Sequence, residues 1–273
     1  MIRSYLLLPL FAAVLAFSSL PAVAQTGGRN LADIVQLEFL PGWRRDDGTH
    51  MAALQIRLAP GWKTYWRSPG SAGIPPQLQM RDRRGMQGVQ LFWPVPDIFY
   101  TSGYRSIGYY DEVLLPLQVN LAPGQRELRI RGSISIGACQ DVCIPVSLDF
   151  SGTLQPGGSP DPRITAALAD RPLTAAEAGV GTVTCQLSPI ADGMRVQARI
   201  PVARQGATEV VVFELSDEGT WVSEAEATRS GGALIATADI IPADAGPFAM
   251  SRSDLRITVL GDGTAIDIQG CRG

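Results

Sequence analysis

Short stretches in which apolar and polar residues alternate recur along most of the chain. A period of two is typical of strands that have one buried face and one face in water. Clusters of Gly, Pro and Asp separate the stretches and predict turns between the strands. The predicted strands cover residues 34–39, 51–58, 88–92, 113–119, 127–136 and 145–150, and then 182–187, 194–200, 208–214, 233–240, 254–260 and 266–268.

Helical patterns are scarce by comparison. Residues 161–178 are rich in Ala and Leu and favour a helix, with Asp161 and Pro162 suited to its N-cap and first turn. The segment 152–160 (GTLQPGGSP) has the composition of a linker. We therefore predict an all-β protein with two β-sandwich domains, of which the second is smaller. The predicted units are residues 31–155, a linker with a short helix at 156–180, and residues 181–273.

The first residues have the pattern of a secretory signal peptide. Arg3 provides a basic start, residues 5–20 are mostly apolar, and residues 22–24 (AVA) form a small-x-small cleavage site. The apolar run is interrupted by Pro9 and is too short for a stable membrane span. We therefore expect residues 1–24 to be removed, leaving a soluble periplasmic or secreted protein without a membrane span.

Charge narrows the range of partners. Without Arg3, 22 basic and 26 acidic side chains remain, a net charge of about −4, and no segment forms a basic stripe. This pattern argues against nucleic acid as a partner.

The chain has one lysine, Lys63, and one histidine, His50, so a mechanism that needs a histidine base has a single candidate. His50 follows a turn-like stretch, and we expect it to be a solvated loop residue.

An even number of cysteines in an exported chain predicts disulfides, and this chain has four. Cys185 lies in the first predicted strand of the second domain, and Cys271 lies just after its last. A bond between them would close a loop of about 85 residues, worth roughly 4 kcal/mol in the chain-entropy model. We therefore predict that Cys185 and Cys271 form a structural disulfide.

Cys139 and Cys143 carry the candidate chemistry, in a CxxxC spacing directly after a strand. In an extended strand they would lie about 13 Å apart, farther than the roughly 4.4 to 6.8 Å that a disulfide spans. Bonding them therefore needs a tight turn at residues 140–142. A bond that closes so small a loop adds little stability, and strain would make it easier to reduce. From spacing alone a redox-active pair, a structural clip and a zinc site with too few ligands stay open.

Four motifs appear in a fixed order before and around this pair: GWKTYWRSPGSAGIP at 61–75, FWPVP at 92–96, IGYYDEVLLP at 107–116 and CQDVCIP at 139–145. In this order they resemble the periplasmic amino-terminal domain of the DsbD-type protein-disulfide reductases, particularly the ScsB-like branch. The resemblance covers about residues 31–155.

The resemblance implies an immunoglobulin-like β-sandwich in which Cys139 and Cys143 are the catalytic redox pair. It also implies two kinds of partner: a protein thiol donor, such as a membrane electron carrier or a thioredoxin-like protein, and oxidised envelope proteins. For the wider family it implies a link to cytochrome c-type biogenesis. Thiol–disulfide exchange needs no metal or organic cofactor, and we expect none. Because no long apolar run and no CxxC follow the signal peptide, we expect a stand-alone exported protein that is reduced in trans.

Aromatic residues cluster in two segments, 62–66 and 100–110, and suggest a lid or docking surface over the sulfurs, although core packing would also explain them. The residues that would form it are Trp62, Tyr65, Trp66, Tyr104 and Tyr109.

Two other functions compete with a redox carrier. The main alternative is a non-catalytic binding module in which both disulfides are structural. The other is Cu(I) binding by the thiolates, although the six methionines form no cluster that would support it.

Overall fold

The computed structural model describes residues 30–101, 103–216, 219–243 and 250–273. The predicted signal peptide lies outside these residues, and its assignment stays a prediction. Within the described part, two sheets form in each half of the chain, so the prediction of an all-β, immunoglobulin-like two-domain fold is confirmed. Among the described helices, none has the length and apolar character needed to cross a membrane.

The first domain begins with one helical turn, α1 (Leu31–Ile34), which is capped by Asn30. Its strands are β1 (Val35–Arg44), β2 (His50–Leu58), β3 (Lys63–Tyr65), β4 (Gln77–Met80), β5 (Met86–Leu91), β6 (Asp97–Thr101), β7 (Tyr104–Tyr110), β8 (Glu112–Leu121), β9 (Leu128–Cys139) and β10 (Cys143–Leu154).

These strands form two antiparallel sheets. The first has the order β1-β2-β8-β5, and the second has the order β10-β9-β3-β7-β6, with β4 also paired to β9. Alternate residues of β2 and β8 pack against alternate residues of β9 in one core cluster, which includes Leu54, Leu117 and Ile136. The other face of the six-stranded sheet points away from this core.

The helix α2 (Pro162–Ala169) covers the outer face of the first sheet, where Ile164 packs against Leu40, Met51 and Ala53. The Asp161 side chain caps its first turn by accepting a hydrogen bond from the Arg163 amide, as the sequence suggested.

The prediction of a helix through residue 178 was wrong, because α2 ends at Ala169. Pro172 disfavours helical backbone at Arg171, the residue before it. The chain then extends, and β11 (Leu173–Thr174) pairs in parallel with a strand of the second domain.

The second domain is built from nine strands of the described residues, β11 among them. The others are β12 (Thr184–Ile190), β13 (Gly193–Ile200), β14 (Val210–Glu214), β15 (Trp221–Val222), β16 (Glu226–Ser230), β17 (Ala233–Ile241), β18 (Arg256–Leu260) and β19 (Ala265–Gln269). One sheet has the order β11-β19-β18-β14, and the other has the order β12-β13-β17-β15, with β16 also paired to β17.

The predicted bond between Cys185 and Cys271 is present, with 5.7 Å between the two Cα atoms. Cys185 is buried in the second core, and Thr184 forms an isolated bridge with Arg272. The disulfide therefore joins β12 to the segment that follows β19.

The two domains share a buried contact. Val212 and Leu260 of the second domain belong to the same apolar cluster as the core of the first. Beside them, the Arg67 guanidinium donates two hydrogen bonds, of 3.0 and 3.1 Å, to the Glu214 carboxylate and one to the Thr258 hydroxyl. Burial lowers the pKa of Arg67, and the negative charge of Glu214 opposes this effect.

The expectation of a solvated His50 was wrong. His50 begins β2 and is buried. An irregularity in the pairing of β1, between Leu40 and Trp43, places the Pro41 carbonyl within hydrogen-bonding distance of its ring. The ring Nε2 lies 2.6 Å from the Pro41 oxygen, and Arg44 Nε donates to Nδ1 at 3.5 Å. Burial lowers the pKa of His50, so the neutral ring is favoured.

Candidate redox site

The strands β9 and β10 form a hairpin that ends in a three-residue turn, with Cys139 and Cys143 directly opposite each other at its tip. Their sulfurs are bonded, and their Cα atoms lie 4.1 Å apart. In the turn, the Gln140 amide donates to the Val142 carbonyl at 3.3 Å. The sequence argument that a bond here needs a tight turn is therefore confirmed.

Strand register extends this pair into a row across four strands. Tyr110 of β7 is opposite Lys63 of β3, Lys63 is opposite Cys139, and Cys139 is opposite Cys143. Directly opposite residues project from the same face of a sheet. All four side chains therefore lie on the outer face of the six-stranded sheet, which we call the redox face.

Burial separates the two cysteines. Cys139 is fully buried, whereas Cys143 is exposed and Val142 beside it has 72% of its surface accessible. The difference arises because β9 lies inside the sheet and β10 lies at its edge. The pair thus has one buried sulfur and one cysteine that faces solvent.

Tyr65 links the two cysteines to the strand next to them. Its hydroxyl oxygen lies 3.2 Å from the Cys143 Sγ, and its ring packs in a small buried cluster with Cys139, Phe99 and Ile74. Gly137 leaves space for this ring, since a Cβ there would come within 3.0 Å of it. Burial raises the pKa of Tyr65, so the phenol keeps its proton at neutral pH.

Phe99 and Lys63 complete the redox face. The Phe99 ring lies 4.9 Å from the Tyr110 ring in a tilted arrangement, and the Lys63 ammonium group lies 4.9 Å from the centre of the Phe99 ring. Both Phe99 and Lys63 are buried. A cation and an aromatic ring therefore stand beside the buried half of the disulfide.

A family model described as "Thiol:disulfide interchange protein DsbD, N-terminal" matches residues 36–155. Those residues form a DsbD-type N-terminal domain. The match includes both β9 and β10, so the bonded pair lies inside it. It supports a role in thiol–disulfide exchange in general.

Eleven chains of solved structures match this protein in fold. One is the crystal structure of the N-terminal periplasmic domain of ScsB from Proteus mirabilis, with a TM-score of 0.66 and 22% sequence identity. The alignment covers 88% of this chain and 94% of that chain, so the likeness in fold extends beyond the DsbD-type domain. No curated protein matches the chain.

The aromatic residues predicted to form a lid or docking surface differ in their exposure. Trp62, Trp66 and Tyr109 are buried in the core cluster of the DsbD-type domain, so they present no docking surface here. The Tyr109 hydroxyl donates to the Pro94 carbonyl at 2.9 Å, which explains how a buried phenol is accommodated. Tyr104, in contrast, is exposed.

Sequence reasoning missed Phe99, Ile74, Gly137 and Lys63 as neighbours of the pair. They come from four separate parts of the DsbD-type domain, and strand register brings them together. For Lys63 the sequence does contain a signal, since it is the chain's one lysine.

A metal centre finds no support among the residues that the structure describes, which hold no group of three or more His, Cys, Asp or Glu side chains suited to an ion.

Proposed function

We propose that this protein is a periplasmic thiol–disulfide exchange protein that passes electrons to or from envelope proteins through Cys139 and Cys143. The family match supports thiol–disulfide exchange in general. The observation that carries the finer proposal is the bonded pair at a hairpin tip, with one cysteine fully buried and the other exposed. A protein thiol that approaches this tip meets Cys143 first.

Reduction of the pair begins with attack at the exposed cysteine. A thiolate of the donor attacks the Cys143 Sγ, the bond to Cys139 breaks, and the electron pair of that bond stays on the Cys139 Sγ. A second thiol of the donor then attacks the donor sulfur of the mixed disulfide and releases the Cys143 thiolate. The donor leaves oxidised, and two electrons have moved to the pair.

Oxidation of the pair follows the same geometry in reverse. The Cys143 thiolate attacks a disulfide of an oxidised envelope protein, and one substrate sulfur leaves as a thiolate. The Cys139 thiolate then attacks the Cys143 Sγ and re-forms the bond, so the substrate is released with two thiols. The Tyr65 hydroxyl is placed to donate a hydrogen bond to the Cys143 sulfur while it carries negative charge.

The surface around Cys143 suits contact with another protein. Val142, next to Cys143, and Tyr110, in the same row of the redox face, are exposed large apolar side chains. Exposed aromatic groups of this kind are enriched where proteins bind each other. The partner donor, whether a thioredoxin-like protein or a membrane electron carrier, would contact this surface during exchange.

Trapping of mixed disulfides tests the proposed order of attack. A Cys139→Ser variant keeps the exposed thiol and lacks the resolving thiol, so it should accumulate mixed disulfides with oxidised thioredoxin and with oxidised envelope extract. The matched Cys143→Ser variant keeps only the buried thiol of the pair and should accumulate few. Equal trapping by the two variants, or none by either, would contradict the mechanism.

The reduction potential separates the redox carrier from a binding module with two structural disulfides. The full chain is equilibrated in glutathione or dithiothreitol buffers, and mass spectrometry of alkylated peptides reports each disulfide separately. We expect the potential of the Cys139–Cys143 pair to lie between about −120 and −270 mV, as in known exchange proteins. A potential below about −300 mV, with reduction only on unfolding, would favour the binding module.

The division of the chain into residues 31–155, a linker at 156–180 and residues 181–273 stays part of this proposal. We propose that the second domain supports the first through the Arg67–Glu214 contact, because both side chains are held at the shared interface.

A further inference from the structure

The single lysine of this chain is buried. The other 22 basic side chains are arginines, yet Lys63 is 7% exposed. Lysine is almost never buried to this extent unless it is paired. Its ammonium group makes a cation–π contact with Phe99, 4.9 Å from the ring centre. The redox face therefore holds a buried side chain with a compact positive charge.

Register places Lys63 beside the buried cysteine. It is directly opposite Cys139, and Cβ atoms of opposite residues are about 4.5 to 5.5 Å apart. Phe99, which contacts the ammonium group, belongs to the same buried cluster as Cys139. Lys63 is thus next to Cys139, whereas Cys143 is one strand farther away.

Opening the disulfide creates a charge at this point. When a thiolate attacks the Cys143 Sγ, the negative charge moves from the incoming sulfur to the Cys139 Sγ. Cys139 is fully buried, and a thiolate in apolar surroundings is costly without a compensating charge.

We propose that the Lys63 ammonium group stabilises the Cys139 thiolate that forms when the disulfide opens. The inference rests on the proposed exchange function and adds a residue to it. The step needs no proton transfer: one S–S bond forms between the incoming sulfur and Cys143, the Cys139–Cys143 bond breaks, and the electron pair stays on Cys139 beside the ammonium group.

The other charged or titratable groups around the pair do not provide this charge. On β3, β6 and β7 and in the hairpin turn these groups are Tyr65, Asp97, Tyr100, Tyr104, Arg105, Tyr109, Tyr110 and Asp141, while Arg129, Arg131 and Asp149 lie toward the far end of the β9–β10 hairpin. Neither a tyrosine nor an aspartate side chain can carry a positive charge. Arg105 forms an ion pair with Glu224 of the second domain, at 3.1 Å.

A thiol titration tests the inference without any protein partner. In a Cys143→Ser background, the pKa of the Cys139 thiol is measured from the ultraviolet absorbance of its thiolate. Adding Lys63→Met should raise that pKa by about one to three, the range that a neighbouring opposite charge produces. Adding Lys63→Arg instead, which keeps the positive charge, should leave the pKa of the Cys139 thiol close to that of the Cys143→Ser parent.

Reaction kinetics give a second readout in the full chain with all cysteines present. Dithiothreitol should open the Cys139–Cys143 bond severalfold more slowly in Lys63→Met, because a thiol of higher pKa is a poorer leaving group. Arg84→Met removes one positive charge from an exposed site and should react like the wild type. If Lys63→Met fails to fold, as judged by circular dichroism, Lys63→Gln replaces it in both measurements.

The outcomes separate this inference from the proposed function. An unchanged thiol pKa and an unchanged rate would overturn the role of Lys63, and so would a Lys63→Arg variant as slow as Lys63→Met, because packing would then explain the effect. Loss of exchange with every protein partner, together with a clear effect of Lys63→Met on the reaction with dithiothreitol, would overturn the proposed function and leave the inference standing.

Discussion

The Tyr65 hydroxyl oxygen lies 3.2 Å from the Cys143 Sγ, so a buried side chain makes direct contact with the exposed half of the disulfide. Burial raises the pKa of Tyr65, and the protonated phenol is available as a hydrogen-bond donor at neutral pH. A disulfide sulfur is a weak acceptor, whereas a thiolate is a strong one. The contact should therefore favour the reduced state of the pair over the oxidised state.

Replacing Tyr65 with Phe should raise the pKa of the Cys143 thiol while leaving the ring packing in place. A hydrogen bond to a charged group contributes about 1.5 to 3 kcal/mol, which corresponds to a pKa higher by about one to two. The pKa is measured from the pH dependence of alkylation in a Cys139→Ser background. Since Tyr104 is exposed on the same domain, Tyr104→Phe serves as the control and should have no effect. Identical titrations for Tyr65→Phe and its parent would contradict the prediction.

Adding a methyl group at Gly137 should disturb the same contact through sterics. A Cβ at this position would lie 2.9 Å from the Ile74 Cβ and 3.0 Å from the Tyr65 ring. We expect Gly137→Ala to cost about 1 to 3 kcal/mol in the free energy of unfolding, the usual range for overpacking. Denaturant unfolding measures this cost. At Gly88 the nearest atom to an added Cβ is 3.6 Å away, so Gly88→Ala should be tolerated, and equal losses for the two variants would sink the steric argument.

The disulfide between Cys139 and Cys143 is predictable from the sequence because its geometry is local. The CxxxC spacing requires a turn between the cysteines, and β9 and β10 form the hairpin that supplies it. The residues beside the pair depend instead on which strands become neighbours. Lys63 and Phe99 lie far from Cys139 in sequence, and no spacing rule links them to it before the register of β3 and β9 is known.

Long strands with regular alternation are also predictable, whereas short or irregular ones are not. The strand β3 has three residues, and β7 contains Gly108, which lacks a side chain to extend the alternating pattern. A Cβ at Gly108 would lie 2.0 Å from the Thr64 carbonyl oxygen, so close strand approach requires glycine there. The prediction for His50 failed for a related reason. His50 follows a turn in the sequence, but its burial depends on the irregular pairing of β1 with β2, which the sequence alone does not reveal.

Removing the carboxylate of Glu214 should destabilise the contact between the domains. The side chains of Arg67 and Glu214 are 12% and 18% exposed, so Glu214→Ala would leave a nearly buried guanidinium without its charge partner. Breaking a buried pair in this way typically costs about 3 to 5 kcal/mol. Urea unfolding, followed by fluorescence, measures the loss.

A surface ion pair of the second domain provides the comparison for Glu214. Arg195 and Asp239 are bonded at 2.7 Å but are more exposed, at 53% and 28%. Such pairs contribute about 0 to 1 kcal/mol, so Asp239→Ala should have a small effect. If Glu214→Ala is as mild as Asp239→Ala, the ion pair does not hold the domains together.

His50 should make the stability of the protein depend on pH. Burial lowers its pKa in the folded state below the ordinary value of 6.5, while in the unfolded chain it titrates near 6.5. Between these two values the unfolded chain binds more protons, so the free energy of unfolding rises with pH across that window and falls as the pH drops through it. The slope from one group is at most about 1.4 kcal/mol per pH unit.

In His50→Gln, whose amide can still donate to the Pro41 carbonyl, this part of the slope should vanish. Urea unfolding of both proteins between pH 5 and 8 measures the difference between their free energies of unfolding. The carboxylates titrate in both proteins, so their contribution cancels in this difference. If the two curves stay parallel, proton binding to His50 is not linked to unfolding.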